Sequence, residues 1–480
     1  MVKSATGRIA GWALLAAAVQ ASLAHAQGAD QTTFYNENGL KLRLHLQGGY
    51  YLATEGNLFW NLADATGQGD GFDADKTWSE AYIKPGMSFE YILGGGSTLY
   101  GKLSAVTSRT FGTDPFEESD NGDTTLEEAY LAWRGNTGAL SYDVSVGARE
   151  FRLGTGMLIA NGATSGFERG ALKFGPRKAW ERSATVKLSA NGITGTAFYL
   201  DPNELPSTDG KNELAGFDLR YDSDDGAYLG TTFVSVLNSE TPYPQAAPGG
   251  SGAPTITPGA REGTRTLALY GGTGTLTGAL QNWSFTTDLA VQRNKDIDFE
   301  AWAGRVQASY TFADMAWTPR VTLGYQTFSG DDPDTAKLER FDPLYYEGSP
   351  SAWATGTKSA STFINSNVNA LSLAVQMRPS PRDTITARYA HIRANELRSP
   401  IQFGQATRLE TSGAGANVVS GVTDAHLADD VFLEYSRIIN RNTFLTGGLA
   451  ISFPGQGIKD IVGSDAEPWT GAFVNVVVNF

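Results

Sequence analysis

The eight residues Leu40–Gln47, LKLRLHLQ, alternate strictly between leucine and a polar side chain. Successive side chains of a β-strand point to opposite faces, so this stretch predicts a strand with one apolar and one polar face. The same alternation returns in LSYDVSVGAR (residues 140–149) and in WSFTTDLAVQ (residues 283–292). A tilted membrane-crossing strand needs roughly 9–11 residues, which is about the length of these runs. The pattern therefore indicates strands that face lipid on one side and water on the other.

Similar runs recur along the whole chain, and the connections between them alternate in length. We find 18 candidate strands, which begin near residues 40, 80, 97, 125, 139, 180, 193, 212, 227, 263, 281, 300, 318, 369, 383, 426, 442 and 468. Short connections such as Gly94–Gly96 alternate with long ones such as residues 152–179 and 331–368. Short periplasmic turns, long outer loops and an even strand number are typical of bacterial outer-membrane barrels. We predict an all-β fold: a single transmembrane antiparallel β-barrel.

The last predicted strand, GAFVNVVVNF (residues 471–480), indicates that the sheet closes into a barrel. One face holds valines and ends in Phe480, whereas Asn475 and Asn479 lie on the other. An open sheet edge would leave backbone groups unpaired in lipid, so this strand is expected to pair with the first one near Leu40–Tyr50. A final strand ending in phenylalanine resembles the signal read by the barrel assembly machinery. Deleting Phe480 is therefore expected to impair assembly far more than pore selectivity.

Residues 1–26 have the features of a secretory signal peptide. Two basic residues precede the apolar segment Ile9–Val19, and Ala24-His25-Ala26 follows, so cleavage is predicted near Ala26. The apolar segment is shorter than the roughly 18–20 residues of a spanning helix. Residues 27–480 are then the barrel domain, and the predicted location is the outer membrane.

The charge and the cysteine content exclude several classes of function. The chain has 37 basic and 51 acidic side chains, a formal net charge of −14, which argues against nucleic acid as a partner. Cysteine is absent, so neither a disulfide framework nor thiol chemistry is expected.

Catalytic and metal-binding patterns are weak. Outside the signal peptide the histidines are His45, His391 and His426, each within a strand pattern, and neither G-x-S-x-G nor H-E-x-x-H occurs. We predict no enzymatic activity, no cofactor and no metal site. Acidic segments at residues 64–76, 114–123 and 331–334 leave Ca²⁺ binding by outer loops open, although a solvated loop surface is the favoured interpretation.

One segment is basic in an otherwise acidic protein. Residues 149–182 hold seven basic and three acidic side chains. Folded into the lumen, such a segment would place cations around the pore, which favours anionic solutes. The predicted pore-lining residues are Arg149, Arg152, Arg169, Lys173 and Arg177 from this segment, with Arg43, Lys102, Lys187, Arg220, Arg305 and Arg388 from the strand register. Fewer acidic positions share that face: Glu90, Glu128, Asp143, Asp218, Asp288 and Glu434. The alternative is that the charges pair with one another or with lipopolysaccharide phosphates.

Several stretches resemble the alginate-export family of outer-membrane porins. LEEAYLAWRG (residues 126–135) and VSVGAREFRLGTGMLI (residues 144–159) are similar to a strand pair of that family, with Ala148-Arg149-Glu150 where the family often has Gly-Arg-Gln. RFDPLYYEG (residues 340–348) resembles its F-D-P-L-Y loop motif, and residues 426–458 resemble its penultimate hairpin. The resemblance implies a monomeric 18-stranded barrel with an electropositive constriction that passes uronate polymers outward. Arg149 and Arg152 match the family's basic motif.

The predicted function is an outer-membrane channel for selective diffusion or export of an anionic polysaccharide such as alginate, or of a related acidic solute. The expected partners are lipid, lipopolysaccharide, the assembly machinery and periplasmic secretion proteins. Three alternatives stay open: a general or small-solute porin, a plugged adhesin-like barrel, and a barrel hydrolase. Conductance of the purified barrel separates the first two from each other, and lipid hydrolysis tests the third.

Overall fold

A computed structural model describes residues 32–65, 71–348, 353–356, 362–404, 418–419 and 421–480. Within them the chain forms a closed antiparallel barrel of 18 wall strands, as predicted. The wall strands are β1 (Leu40–Gly56), β2 (Lys76–Leu93), β3 (Ser97–Phe111), β4 (Gly122–Thr137), β5 (Leu140–Arg149), β6 (Trp180–Ala190), β7 (Ile193–Asp201), β8 (Glu213–Asp222), β9 (Tyr228–Asn238), β10 (Thr264–Gly272), β11 (Trp283–Asn294), β12 (Glu300–Thr311), β13 (Arg320–Phe328), β14 (Val368–Ser380), β15 (Asp383–Ala394), β16 (His426–Asn440), β17 (Thr443–Pro454) and β18 (Trp469–Asn479). The predicted signal peptide, residues 1–26, lies outside the described residues.

The barrel closes between its last and first strands. Each wall strand pairs with the next along the chain, and β18 pairs antiparallel with residues 47–56 of β1. Phe480 then exchanges both backbone hydrogen bonds with Leu46, at N···O distances of 2.8 and 3.0 Å. Closure pairs the two edges that would otherwise expose backbone groups to lipid, so the predicted contact between the two ends of the sheet is confirmed.

An additional strand, Thr33–Glu37, was not expected. It turns through Asn38 and Gly39, whose φ angles of 51° and 77° suit a two-residue hairpin turn, and pairs with Leu40–Arg43. One edge of β1 is therefore shared between this strand near the periplasmic end and β18 above it. Five residues are too few for alternation to reveal such a strand in the sequence.

The outward face of the wall is apolar, but the inward face is polar over only part of its height. Leu44 and Leu46 of β1 point outward and are 54% and 39% exposed. Farther along the same strand, Tyr51 and Ala53 point inward and are 4% and 1% exposed. Inward aromatic rings at this height pack against loops that fold into the barrel. The alternation of apolar and polar residues predicts the face on which a residue lies, but it does not predict whether a loop packs against that residue.

The outer loops are longer than most periplasmic turns. They are residues 57–75 (L1), 112–121 (L2), 150–179 (L3), 202–212 (L4), 239–263 (L5), 295–299 (L6), 329–367 (L7), 395–425 (L8) and 455–468 (L9). The alternation is not strict, because L6 is short and the periplasmic turns at residues 273–282 and 312–319 are longer than predicted.

The loops contain short elements of their own. The α-helices are α1 (Leu62–Ala65) and α2 (Gln456–Val462), and the 3₁₀ turns are Leu58–Asn61, Gly94–Gly96, Phe167–Arg169, Pro206–Thr208, Pro248–Gly250 and Gly278–Leu280. Loop strands are Tyr243–Gln245, Thr255–Thr257, Thr362–Phe363, Ile401–Gly404 and Val418–Val419. In the described part of the chain, no helix has the length and apolar character that crossing a membrane requires.

Candidate functional site

Loop L3 folds into the barrel and contacts the wall on both sides of its own strands. Its Phe174 ring lies 5.0 Å from Tyr82 of β2 and 5.8 Å from Tyr51 of β1. At the other end of the loop, the Thr155 hydroxyl donates a hydrogen bond to Asp288 of β11. L3 therefore extends across the lumen below the outer mouth.

Loop L7 meets L3 inside the barrel. Ile159 and Tyr345 form a parallel bridge, and the Tyr345 carbonyl accepts the Ala160 N–H at 2.8 Å. Arg152 pairs with Glu347 at 2.6 Å on the same seam. The two inner loops are thus joined by backbone hydrogen bonds and by an ion pair, and together they form a shelf across the lumen.

Three of the predicted pore-lining cations lie inside the protein, and two of them, Arg177 and Arg169, hold L3 in place. The Arg177 side chain is 1% exposed and donates to Thr125 Oγ1, Ser108 Oγ and the Asp123 carbonyl at 2.6, 2.7 and 3.0 Å. Burial lowers the pKa of its guanidinium to about 10.

Arg169 and Lys173 are buried in a similar way. Arg169 donates to the carbonyls of Asn203 and Glu204 at 2.9 and 2.7 Å, which ties L3 to L4. Lys173 is 6% exposed, and burial lowers the pKa of its ammonium to about 8. Since little of these side chains reaches water, their positive charges have limited access to a solute in the lumen.

Three partly exposed arginines on the inward faces of β1, β4 and β5 lie close together, and we call them the arginine strip: Arg43, Arg134 and Arg149. Arg43 and Arg134 share the Glu90 carboxylate at 3.4 and 3.1 Å. Arg149 lies 3.7 Å from Asp143. Three guanidinium groups thus face two carboxylates, and their side chains are 25%, 47% and 24% exposed.

Tyrosine rings support the arginine strip. Arg134 stacks over the Tyr100 ring at 4.7 Å, and Arg149 stacks over the Tyr130 ring at 4.6 Å. Arg149 also donates to the Tyr100 hydroxyl at 3.1 Å. Stacked and hydrogen-bonded guanidiniums lose less freedom when they bind a carboxylate. The Tyr100 and Tyr130 rings are consequently covered by the arginines, and the Tyr82 ring is covered by L3.

Arg149 points into the lumen because it shares the inward face of β5 with Asp143 and Ser145. The pairing of β5 with β6 shifts between Gly147 and Arg149, and Gly147 has a φ of 120°. A Cβ atom at Gly147 would lie 2.3 Å from the Ala129 carbonyl oxygen of β4, so this position requires glycine. Within the segment V-G-A-R, the glycine thus permits the close approach of β4, and strand parity directs the arginine toward the strip.

The remaining predicted cations all lie on inward-facing positions, but most are paired. Lys102 pairs with Glu128, and Arg220 chelates Asp222 at 2.6 to 2.9 Å. Arg305 binds Asp288 at 3.1 Å with side chains 7% and 2% exposed, and lies 3.4 Å over the Trp353 ring of L7. Arg388 is partly buried near Glu434, and Lys187 is exposed.

Sequence reasoning missed Arg134, although it lies within a motif already noted. It shares the inward face of β4 with Glu128 and Tyr130, so strand parity alone would have placed it there. The pairing of inward charges, however, depends on register between neighbouring strands. For this reason the single sequence left open whether the cations or their carboxylate partners dominate the lumen.

An aromatic cluster lies at the outer mouth. Trp60 of L1 packs against Phe403 of L8 at 6.2 Å and against Trp469 at the start of β18 at 5.5 Å. The rings are buried, with exposed fractions of 1% to 2%. L1 and L8 are therefore packed onto the rim on the side of the barrel where β18 meets β1.

Residues 340–348, which contain the F-D-P-L-Y motif, belong to L7 and form the seam between L7 and L3. Residues 252–469 match the family model for alginate export. The resemblance seen in the sequence is therefore confirmed over the second half of the barrel. A comparison with curated proteins gives no match.

Solved outer-membrane proteins align with this chain at low identity. Pseudomonas aeruginosa OccK5 (OpdH) aligns with a TM-score of 0.51 and 10% identity, over 92% of this chain and 98% of that one. Salmonella typhi OmpF, solved in complex with daunomycin, gives a TM-score of 0.42 and 13% identity over 93% and 100%. Vibrio cholerae OmpT gives 0.39 and 11% over 93% and 99%. The OccK5 alignment supports the outer-membrane barrel fold, and the match of residues 252–469 to the alginate-export model supports a channel role.

Proposed function

We propose that this alginate-export-like barrel lets an anionic polysaccharide such as alginate, or a related acidic solute, diffuse through its lumen by way of the arginine strip, and that it is not an enzyme. The observation that carries the proposal is the set of long, partly exposed ion pairs in the strip, 3.1 to 3.7 Å between nitrogen and oxygen. A passing carboxylate can replace Glu90 or Asp143 at these arginines without leaving a charge buried and unpaired.

A row of exchangeable contacts suits transport better than one tight site. A polymer moves only when each contact is weak enough to release. Each guanidinium can bind a carboxylate through two N–H groups, and tyrosine rings hold Arg134 and Arg149 in position. By contrast, the buried pair of Arg305 and Asp288 is fixed, and we assign it to the support of L7.

The first prediction concerns ion selectivity. Arg149→Ala and Arg134→Ala should each shift the reversal potential in a salt gradient toward cations and weaken block by an oligouronate. One contact between charges about 4 Å apart in water is worth about 1 kcal/mol, which is about fivefold in Kd. Planar-bilayer recordings with the purified barrel provide both measurements.

Controls separate the strip from charge in general. Arg152→Ala removes the predicted cation on the loop seam, which lies outside the strip. Arg293→Ala removes an outer-surface arginine that is 75% exposed. Neither variant should change the reversal potential or the block. If wild-type barrels prefer cations, or if the strip variants keep the wild-type reversal potential, the arginine strip is not the selective element.

A second candidate is a plugged barrel whose outer loops bind a partner. The hydrogen-bonded seam between L3 and L7 favours this alternative, because it places two loops across the lumen. Such a barrel would show negligible conductance in the same recordings, with or without the oligouronate.

A further inference from the structure

Two histidines and an aspartate meet on the outer surface of the wall, close to the extracellular ends of β15 and β16. His391 Nδ1 lies 2.8 Å from one carboxylate oxygen of Asp429, and His426 Nε2 lies 2.9 Å from the other. The two imidazole rings are 4.7 Å apart. One carboxylate thus sits between two imidazole nitrogens.

The cluster faces outward rather than into the lumen. On β15, His391 alternates with Ile392, which is buried inside, and shares its face with Tyr389, which is 42% exposed. On β16, Asp429 shares its face with Val431, which is 43% exposed. The side chains of His391, Asp429 and His426 keep 33%, 29% and 29% of their surface exposed, so ions have access from outside.

A bulge creates this arrangement. Residues three apart on a regular strand point to opposite faces, which would turn His426 away from Asp429. The register instead pairs Ile392 with Ala428 and Arg393 with His426, so Leu427 is an extra residue on β16. The extra residue shifts the alternation and brings His426 to the outer face beside Asp429.

The ligand atoms already have nearly the spacing that a metal needs. The three donor atoms lie within 4.8 Å of one another. With metal–ligand distances of about 2.0–2.2 Å, tetrahedral zinc separates its ligand atoms by about 3.3 Å, which lies between the N···O contacts of 2.8 and 2.9 Å and the 4.8 Å within which all three donor atoms lie. Tyr389 donates a hydrogen bond to Asp429 Oδ1 at 2.7 Å and would orient the carboxylate from behind.

We propose that His391, His426 and Asp429 form a binding site for a divalent transition metal, Zn²⁺ first among them, on the outer face of the barrel. Two imidazoles and one carboxylate form a ligand set that zinc uses, with a fourth position left for water, whereas Ca²⁺ and Mg²⁺ prefer oxygen ligands throughout. Binding would move the ring protons that now face Asp429 to the opposite nitrogens. The site is separate from the lumen and independent of the transported solute.

The test is a titration of the full-length, tag-free barrel in detergent, with Zn²⁺ by calorimetry and with Co²⁺ by visible absorption. We expect one ion per barrel and cobalt bands of a four-coordinate site. His391→Ala and His426→Ala should each weaken binding at least tenfold, and Asp429→Asn should weaken it as well. His45→Ala is the matched control, because His45 lies on the inward face of β1 against Ser88, and it should bind as the wild type does.

The proposal is overturned by an absence of saturable binding, or by affinity that stays unchanged in both outer-face histidine variants. Equal binding of Ca²⁺ would also contradict it, since that would indicate oxygen ligands elsewhere. Heat-modifiable migration on gels confirms that each variant has assembled, and conductance should be the same with and without zinc.

Discussion

Arg177→Ala is expected to raise the single-channel conductance of the barrel while leaving its ion preference unchanged. The Arg177 side chain fastens L3 to β3 and β4 through three hydrogen bonds of 2.6 to 3.0 Å from one guanidinium. When these bonds are lost, L3 can leave the wall, and the lumen widens. Selectivity should persist because the side chain is 1% exposed and does not reach the solute.

The expected loss of stability for this loop is about 2–4 kcal/mol. Hydrogen bonds to a charged group contribute about 1.5–3 kcal/mol each when a buried partner is left unsatisfied, but water entering from the lumen recovers part of this. Thermal unfolding followed by heat-modifiable gel migration measures the stability, and bilayer recordings measure the conductance.

Two further variants make the outcome specific. Arg177→Lys keeps the charge but lacks the planar fork that reaches three acceptors, so it should give an intermediate effect and should assemble if the alanine variant does not. Arg182→Ala, three residues beyond the end of L3, removes an arginine that is 72% exposed and should change little. Wild-type conductance in both Arg177 variants would mean that L3 is held elsewhere.

The wall was predictable from one sequence because membrane strands carry a signal in every second residue. Each of the 18 predicted starts lies within four residues of an observed one, and the largest offset is at β2, where Lys76 precedes the predicted residue 80. The loops carry no such periodic signal. The basic excess of residues 149–182 predicted a special location for this segment, but whether Arg177 points to water or to Ser108 depends on contacts 69 residues apart.

The outer-face cluster escaped prediction for a related reason. His426 and Asp429 are three residues apart, and strict alternation places them on opposite faces. The insertion of Leu427 into the register reverses this, and a bulge of this kind leaves no reliable mark in a single sequence. The alternation of a strand therefore predicts which face a side chain is on only as far as the next bulge, and functional side chains can lie at such a bulge.

The alginate-export motif in L7 depends on a buried ion pair that reaches another loop. Arg261 of L5 binds Asp342 through two hydrogen bonds of 2.6 and 3.0 Å, with side chains 4% and 8% exposed. Burial alone would lower the pKa of the Arg261 guanidinium, but Asp342, Tyr345 and Glu204 together outweigh burial and raise it. Asp342 also accepts the Leu344 N–H at 3.0 Å, which holds Leu344 at a φ of 51°.

Arg261→Ala is expected to destabilise the packing of L5 and L7 by about 3–5 kcal/mol, the usual penalty for leaving a buried charge without its partner. Because the wall strands remain paired, the loss should appear as local opening. Amide hydrogen exchange should show faster exchange at Leu344 and Tyr345, while exchange in β1 and β18 stays slow.

The double variant Arg261→Met with Asp342→Leu separates charge from packing. Replacing a buried ion pair by apolar side chains of similar volume is often neutral, so the double variant should recover most of the protection that Arg261→Ala loses. Lys211→Ala is the control, because it breaks an ion pair with Glu240 whose side chains are 55% and 60% exposed, and it should alter exchange little. If the double variant opens as readily as the single one, L7 is held by the shape of these two side chains and by the hydrogen bond of Asp342 to the Leu344 turn.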